Sequence, residues 1–140
     1  MNINGIAHVV LTVADFAACR GFYSKLLPFL GLTPVIDTEV FYYCVGGRTA
    51  VGIEPAPPEY RDQRFEQERS GLHHVSFRAR SREDVDALYE FLTTIGATIV
   101  HGPEEGPWAP GYYSVLFEDP DGIRLELNFV PGKGLLEDKQ

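Results

Sequence analysis

The stretch Ile6-Ala7-His8-Val9-Val10-Leu11 returns later in the chain as Leu72-His73-His74-Val75-Ser76-Phe77, at an offset of 66 residues. The same offset pairs Tyr23 with Tyr89 and Leu26 with Leu92. With one residue removed, Gly31-Leu32-Thr33 matches Gly96-Ala97-Thr98. Several matches in one order mark an internal duplication, and a duplication changes how every other segment is read.

Outward from the two quoted stretches, each copy reads as strand, helix, glycine and three extended segments. Residues 6–13 are rich in β-branched side chains and predict a strand. Asp15 is placed to cap a helix whose apolar residues Phe16, Cys19, Phe22, Tyr23, Leu26 and Leu30 recur near every 3.6 positions, and Gly31 ends it. Extended segments follow at 33–38, 40–45 and 49–54. In the second copy 72–79 predicts the strand, and Ser81 caps a helix striped with Val85, Leu88, Tyr89, Leu92 and Ile95. Segments near 98–101, 112–118 and 123–129 complete it, the last two joined by the turn signal Asp119-Pro120-Asp121-Gly122. The expected architecture is α+β, with two tandem βαβββ modules contributing eight strands and two main helices. Residues 5–55 form the first module, 56–70 a proline-rich linker with one helical turn around 61–69, 71–131 the second module and 132–140 a loose tail.

The 140 residues carry 12 Lys+Arg against 20 Asp+Glu, a formal charge of −8. Nucleic acids and anionic membranes are bound through basic patches, so neither is an expected partner. No positively charged leader opens the chain, and no apolar run is long enough to span a membrane. Two cysteines, Cys19 and Cys44, are too few for a disulfide framework. These features fit a cytoplasmic protein that handles a small molecule.

Side chains alternate along strands, so Val9, Leu11 and Val13 share one face of the first strand and His8, Val10 and Thr12 the other. In the repeat, His74, Ser76 and Arg78 oppose Val75 and Phe77, which puts His73 on the helix side. On the last strand Leu125, Leu127 and Phe129 oppose Arg124, Glu126 and Asn128. The apolar sets pack on the helices, and His8, His74 and Glu126 are left on the helix-free side. A carboxylate among leucines needs a cation or strong donors. Arg78 or Arg124 would supply the plain structural answer. Two imidazoles and a carboxylate also suit a divalent transition ion with positions left open.

At this level the chain resembles a vicinal oxygen chelate (glyoxalase/bleomycin resistance/dioxygenase) protein. The opening Ile6-Ala7-His8-Val9-Val10-Leu11-Thr12-Val13-Ala14-Asp15 with Phe22-Tyr23, the segment Gly71 to Phe77, and Phe117 to Leu127 carry the resemblance. It implies paired modules whose mixed eight-stranded sheet closes into a cup with helices outside, around a divalent metal (Mn, Fe, Co, Ni or Zn) held by His8, His74 and Glu126. It also implies a homodimer. A fourth ligand, present in glyoxalase I-like members, falls at Gly52, Ile53 or Glu54 according to the gap allowed. Glu54 is therefore the candidate catalytic base or extra ligand, unless it simply ends its strand. Arg78, Arg124, Asn128, Trp108, Tyr113 and His101 are the candidate substrate-pocket residues, with 102–113 a candidate lid.

The function expected from the resemblance is a glyoxalase-type lyase or isomerase on a small oxygenated substrate, with the metal as Lewis acid. An Fe(II) extradiol-type dioxygenase is the enzymatic alternative. A drug-sequestering protein of the bleomycin-resistance kind, which lacks the metal triad, is the non-enzymatic one.

Overall fold

A computed structural model describes residues 1–139. The chain divides into two compact units, residues 1–64 and 65–140. In the first, β1 (His8–Val13), α1 (Phe16–Phe29), β2 (Thr33–Asp37), β3 (Tyr42–Gly46) and β4 (Thr49–Pro55) form a sheet ordered β1-β4-β3-β2. In the second, β5 (Val75–Arg78), α2 (Arg82–Thr94), β6 (Thr98–Glu105), β7 (Tyr113–Glu118) and β8 (Arg124–Phe129) repeat it as β5-β8-β7-β6. In each sheet the first strand runs parallel to the last and the other pairings are antiparallel. The eight strands, two helices and duplicated α+β modules are those the sequence predicts, and hydrogen bonding groups the strands into two four-stranded sheets.

Local chemistry sets the element ends. The Asp15 carboxylate accepts from the Ala18 amide at 3.0 Å and the Ser81 hydroxyl from the Asp84 amide at 3.1 Å, so each helix starts on a side-chain cap. Gly31 and Gly96, at φ of 88° and 70°, take the left-handed conformation that ends each helix. Cys19, Tyr23, Leu26 and Leu27 of α1 pack with Leu11, Val13, Tyr42, Cys44, Val51 and Ile53. In the second unit Val85, Leu88 and Leu92 of α2 pack with Val115, Phe117, Leu125 and Leu127.

The hairpin signal between β7 and β8 folds as written. Asp119 Oδ1 accepts from the amides of Asp121 and Ile123, both at 2.9 Å, and Gly122 turns the chain at φ 86°. This turn pairs Glu118 with Arg124, which places Leu116 opposite Glu126 and Ser114 opposite Asn128.

Three boundaries differ from expectation. β5 begins at Val75, so His73 and His74 precede the strand, and His73 is exposed where alternation had put it on the helix side. β6 continues to Glu105 through two register shifts, which absorb Pro103, a residue without an amide to donate. In the linker the helical turn is a 3-10 turn at Pro58–Tyr60, earlier than 61–69. Gly134–Lys139 forms a final 3-10 segment, and Gln140 of the expected tail lies outside the described residues. No described helix is long and apolar enough to cross a membrane.

Candidate functional site

The second unit brings together three of the residues singled out in the sequence, His74, Glu126 and Asn128. Glu126 sits in the middle of β8 between buried leucines and is only 8% exposed. Its Oε2 lies 3.5 Å from Nε2 of His74, just before β5. Its Oε1 accepts a hydrogen bond from the Tyr112 hydroxyl. The Asn128 amide, 3.4 Å from that same oxygen, also lies 3.2 Å from the Tyr112 hydroxyl and 3.0 Å from the Ser76 hydroxyl. Burial, then the hydrogen bond to the Glu126 carboxylate, pushes the Tyr112 phenol up to about 12. Tyr112 therefore stays protonated and remains a donor at physiological pH.

Tyr112 was not among the sequence candidates, although Tyr113 was. Tyr113 stands on the opposite face of β7, where its hydroxyl donates to Asp86 at 2.5 Å and the Arg82 guanidinium lies 3.8 Å over its ring. Counting back from the Asp119 turn supplies the missed signal. Leu116 and Ser114 share the Glu126 face, and the next residue of that parity is Tyr112.

The remaining candidates are dispersed. Arg124 is held by Glu118 at 3.2 Å. Arg78 is exposed and stands opposite Asn128 in the β5–β8 register. His101 lies within β6 and turns to its own strand, Nδ1 donating to the Gly102 carbonyl at 2.8 Å with Glu104 at 3.4 Å. Trp108 is 70% exposed. The expected lid at 102–113 shrinks to a hairpin loop closed by Gly106 N–H to the Tyr112 carbonyl and Tyr112 N–H to Ala109.

In the first unit, His8 is exposed at the start of β1, its ring edge-on to Tyr43 with centroids 6.5 Å apart. The β1–β4 register shows which of Gly52, Ile53 and Glu54 stands where Glu126 stands in the second unit. Glu126 faces Ser76, two residues past His74. The equivalent position, opposite Val10 and two residues past His8, is Gly52. A Cβ on Gly52 would come within 2.7 Å of the Tyr43 ring and 3.2 Å of the Phe41 ring, and these two rings stack on each other. Aromatic rings thus cover the backbone where a fourth ligand would project. Glu54 lies two residues further on, exposed, opposite Thr12. Cys44 is buried, and burial pushes its thiol up, away from reactivity.

The His74–Glu126 pair fits a divalent ion. Ligands at about 2.1 Å in near-tetrahedral geometry stand about 3.4 Å apart, close to the 3.5 Å between Nε2 and Oε2. Among the described residues no three His, Cys, Asp or Glu side chains are gathered closely enough to hold an ion, so the pair by itself offers two donors.

The sequence profile of the glyoxalase/bleomycin resistance protein/dioxygenase superfamily matches residues 5–127. The chain belongs to this superfamily. An uncharacterised Bacillus subtilis protein, YqjT, is 31% identical to it over 122 residues, covering 86% of this chain and 94% of that one. A 3-methylcatechol 2,3-dioxygenase of Pseudomonas putida is 33% identical over 95 residues, covering 61% of this chain and 29% of the dioxygenase. Among solved structures, a glyoxylase/bleomycin resistance protein/dioxygenase domain from a Frankia species superposes with a TM-score of 0.73 at 25% identity, over 91% of this chain and 98% of that one. The superfamily placement agrees with the duplicated modules.

Proposed function

We propose that this superfamily member is a divalent-metal-dependent enzyme acting on a small substrate that presents adjacent oxygens. His74 and Glu126 are two of its protein ligands, and the superfamily pattern assigns a third to the position of His8. The observation that carries the reading is the buried Glu126 carboxylate facing His74 Nε2 at 3.5 Å, a spacing that a shared ion fits. The ion, when bound, supplies Lewis acidity to substrate oxygens. Tyr112 and Asn128 hold Glu126 in one orientation, as the partners of metal-binding carboxylates do. The buried carboxylate aimed at an imidazole supports this reading over that of a drug-sequestering protein.

Between the reactions open to such a centre, Gly52 weighs against one. An isomerase using Glu54 as its base or fourth ligand needs that carboxylate at the register position where Gly52 stands. A three-ligand set favours extradiol-type oxygenation at Fe(II), and the stretch of similarity to the catechol dioxygenase supports the same choice. A lyase or isomerase step is the second reading.

The test is anaerobic purification, loading with Mn, Fe, Co, Ni or Zn, and parallel assays of oxygen uptake with catechols and of 2-oxoaldehyde thiohemiacetal isomerisation. Oxygen uptake confined to the Fe(II) form is the expected result. Isomerisation without oxygen uptake selects the second reading, and absence of binding or thermal shift with all five ions overturns both.

A further inference from the structure

We propose that Gln67 and His73 fix the proton of His74 on Nδ1, so that its Nε2 presents a bare lone pair to Glu126; both are then positioning residues for the cation. Gln67 Nε2 lies 3.1 Å from the His73 carbonyl oxygen. That oxygen only accepts, so the Gln67 group facing it is the NH2. The same NH2 lies 3.3 Å from His73 Nδ1, which makes this ring nitrogen an acceptor without a hydrogen. His73 Nδ1 is also 2.8 Å from Nδ1 of His74, the two rings edge to face. Two lone pairs cannot face each other at that distance without repulsion, so the hydrogen between them belongs to His74.

A neutral imidazole with its hydrogen on Nδ1 has none on Nε2. Nε2 of His74 and Oε2 of Glu126 are then two acceptors facing one another across 3.5 Å, and a positive charge between them, a metal ion or a proton taken up by Nε2, satisfies both. In the other tautomer an Nε2 hydrogen would fill the same gap and weaken the site's demand for an ion. The proton position on one ring therefore separates a self-satisfied pair from a half-site for a metal. The device is set by an amide from the segment before β5, outside any strand. Its purpose rests on the metal reading above, while its existence rests on the 67–73–74 geometry alone.

The test uses the full-length, metal-free protein with 15N-labelled histidine, in a pH series read where the His74 signals no longer change with pH. The NMR tautomer signature of His74 is expected to show Nδ1–H. Gln67→Glu replaces the donor by an acceptor, draws a hydrogen onto His73 Nδ1 and should move the His74 proton to Nε2. Co(II) and Zn(II) affinity should fall with it, by about tenfold or more. His73→Asn keeps an acceptor in nearly the same place and should retain both the tautomer and an affinity within about threefold of wild type, whereas His73→Phe should lose both. Unchanged melting temperatures separate these effects from misfolding. A wild-type His74 carrying its proton on Nε2, or a Gln67→Glu protein with the tautomer unmoved, overturns the proposal. A correctly set tautomer in a protein that binds no divalent ion upholds the relay and overturns the metal reading instead.

Discussion

The Tyr112 hydroxyl donates to the Glu126 carboxylate from one residue before β7, reaching the middle of β8 on the face opposite α2. Removing it leaves a buried carboxylate one donor short, which costs about 1–3 kcal/mol. Tyr112→Phe should lower unfolding free energy by that order in urea titration. The pH dependence carries a second signature. The folded-state value of Tyr112, about 12, lies above the ordinary phenol value of 10, so the neutral form is favoured by folding. Its contribution is complete below pH 10 and is lost as pH rises toward 12. The fall in wild-type stability across that window should be shallower in Tyr112→Phe. Equal slopes in the two proteins would show that Tyr112 titrates as an exposed phenol.

Gly52 makes the first unit's prediction. Gly52→Ala puts a methyl 2.7 Å from a Tyr43 ring carbon and 3.2 Å from Phe41, an overpacking that costs about 1–3 kcal/mol. The loss should shrink when the ring is removed, so Gly52→Ala in a Tyr43→Ala background should destabilise much less than in wild type. Additive losses in a thermal-denaturation cycle would mean that the rings yield freely and do not set the glycine.

These two sites show where the sequence was legible. The repeat and the Asp119 turn are local signals, and they led to eight strands, two helices and the polar face carrying His74 and Glu126. Register is the part a single strand does not encode. Gly52, Ile53 and Glu54 all fit the slot while the gap is open, Glu54 being the candidate for its carboxylate, and the pairing with β1 puts Gly52 at the position equivalent to Glu126. Tyr112 and Tyr113 are both aromatic in a breaker-rich loop, and strand parity counted back from the Asp119 turn separates them once the pairing of β7 with β8 is fixed. His73 was placed by alternation that stops at Val75.

The turn that anchors β8 should be sensitive to one atom. Asp119 Oδ1 takes two amides, and Asp119 is 3% exposed. Asp119→Ala leaves both amides without that acceptor and should cost about 2–4 kcal/mol, while Asp119→Asn keeps an acceptor oxygen and should recover at least half of it. Since the Glu118–Arg124 pairing next to the turn sets the register of Glu126, metal affinity should fall in Asp119→Ala as well. Loss of stability with affinity fully retained would detach the turn from the site.

Metal affinity also discriminates the two glutamates. Glu126 shares its face with His74 and stands where an ion fits, whereas Glu54 is exposed and two residues beyond the equivalent position. Glu126→Gln and His74→Ala should each weaken Co(II) or Zn(II) binding by about a hundredfold or more, the loss of a direct ligand exceeding that of a supporting residue. Glu54→Gln should leave affinity within about twofold, below the roughly tenfold loss expected even of a supporting residue. The comparison is made by competition with a chelating dye at fixed pH, with melting curves confirming that each variant is folded. Should Glu54→Gln lose as much affinity as Glu126→Gln, the fourth-ligand arrangement returns, and with it the isomerase reading that Gly52 argues against.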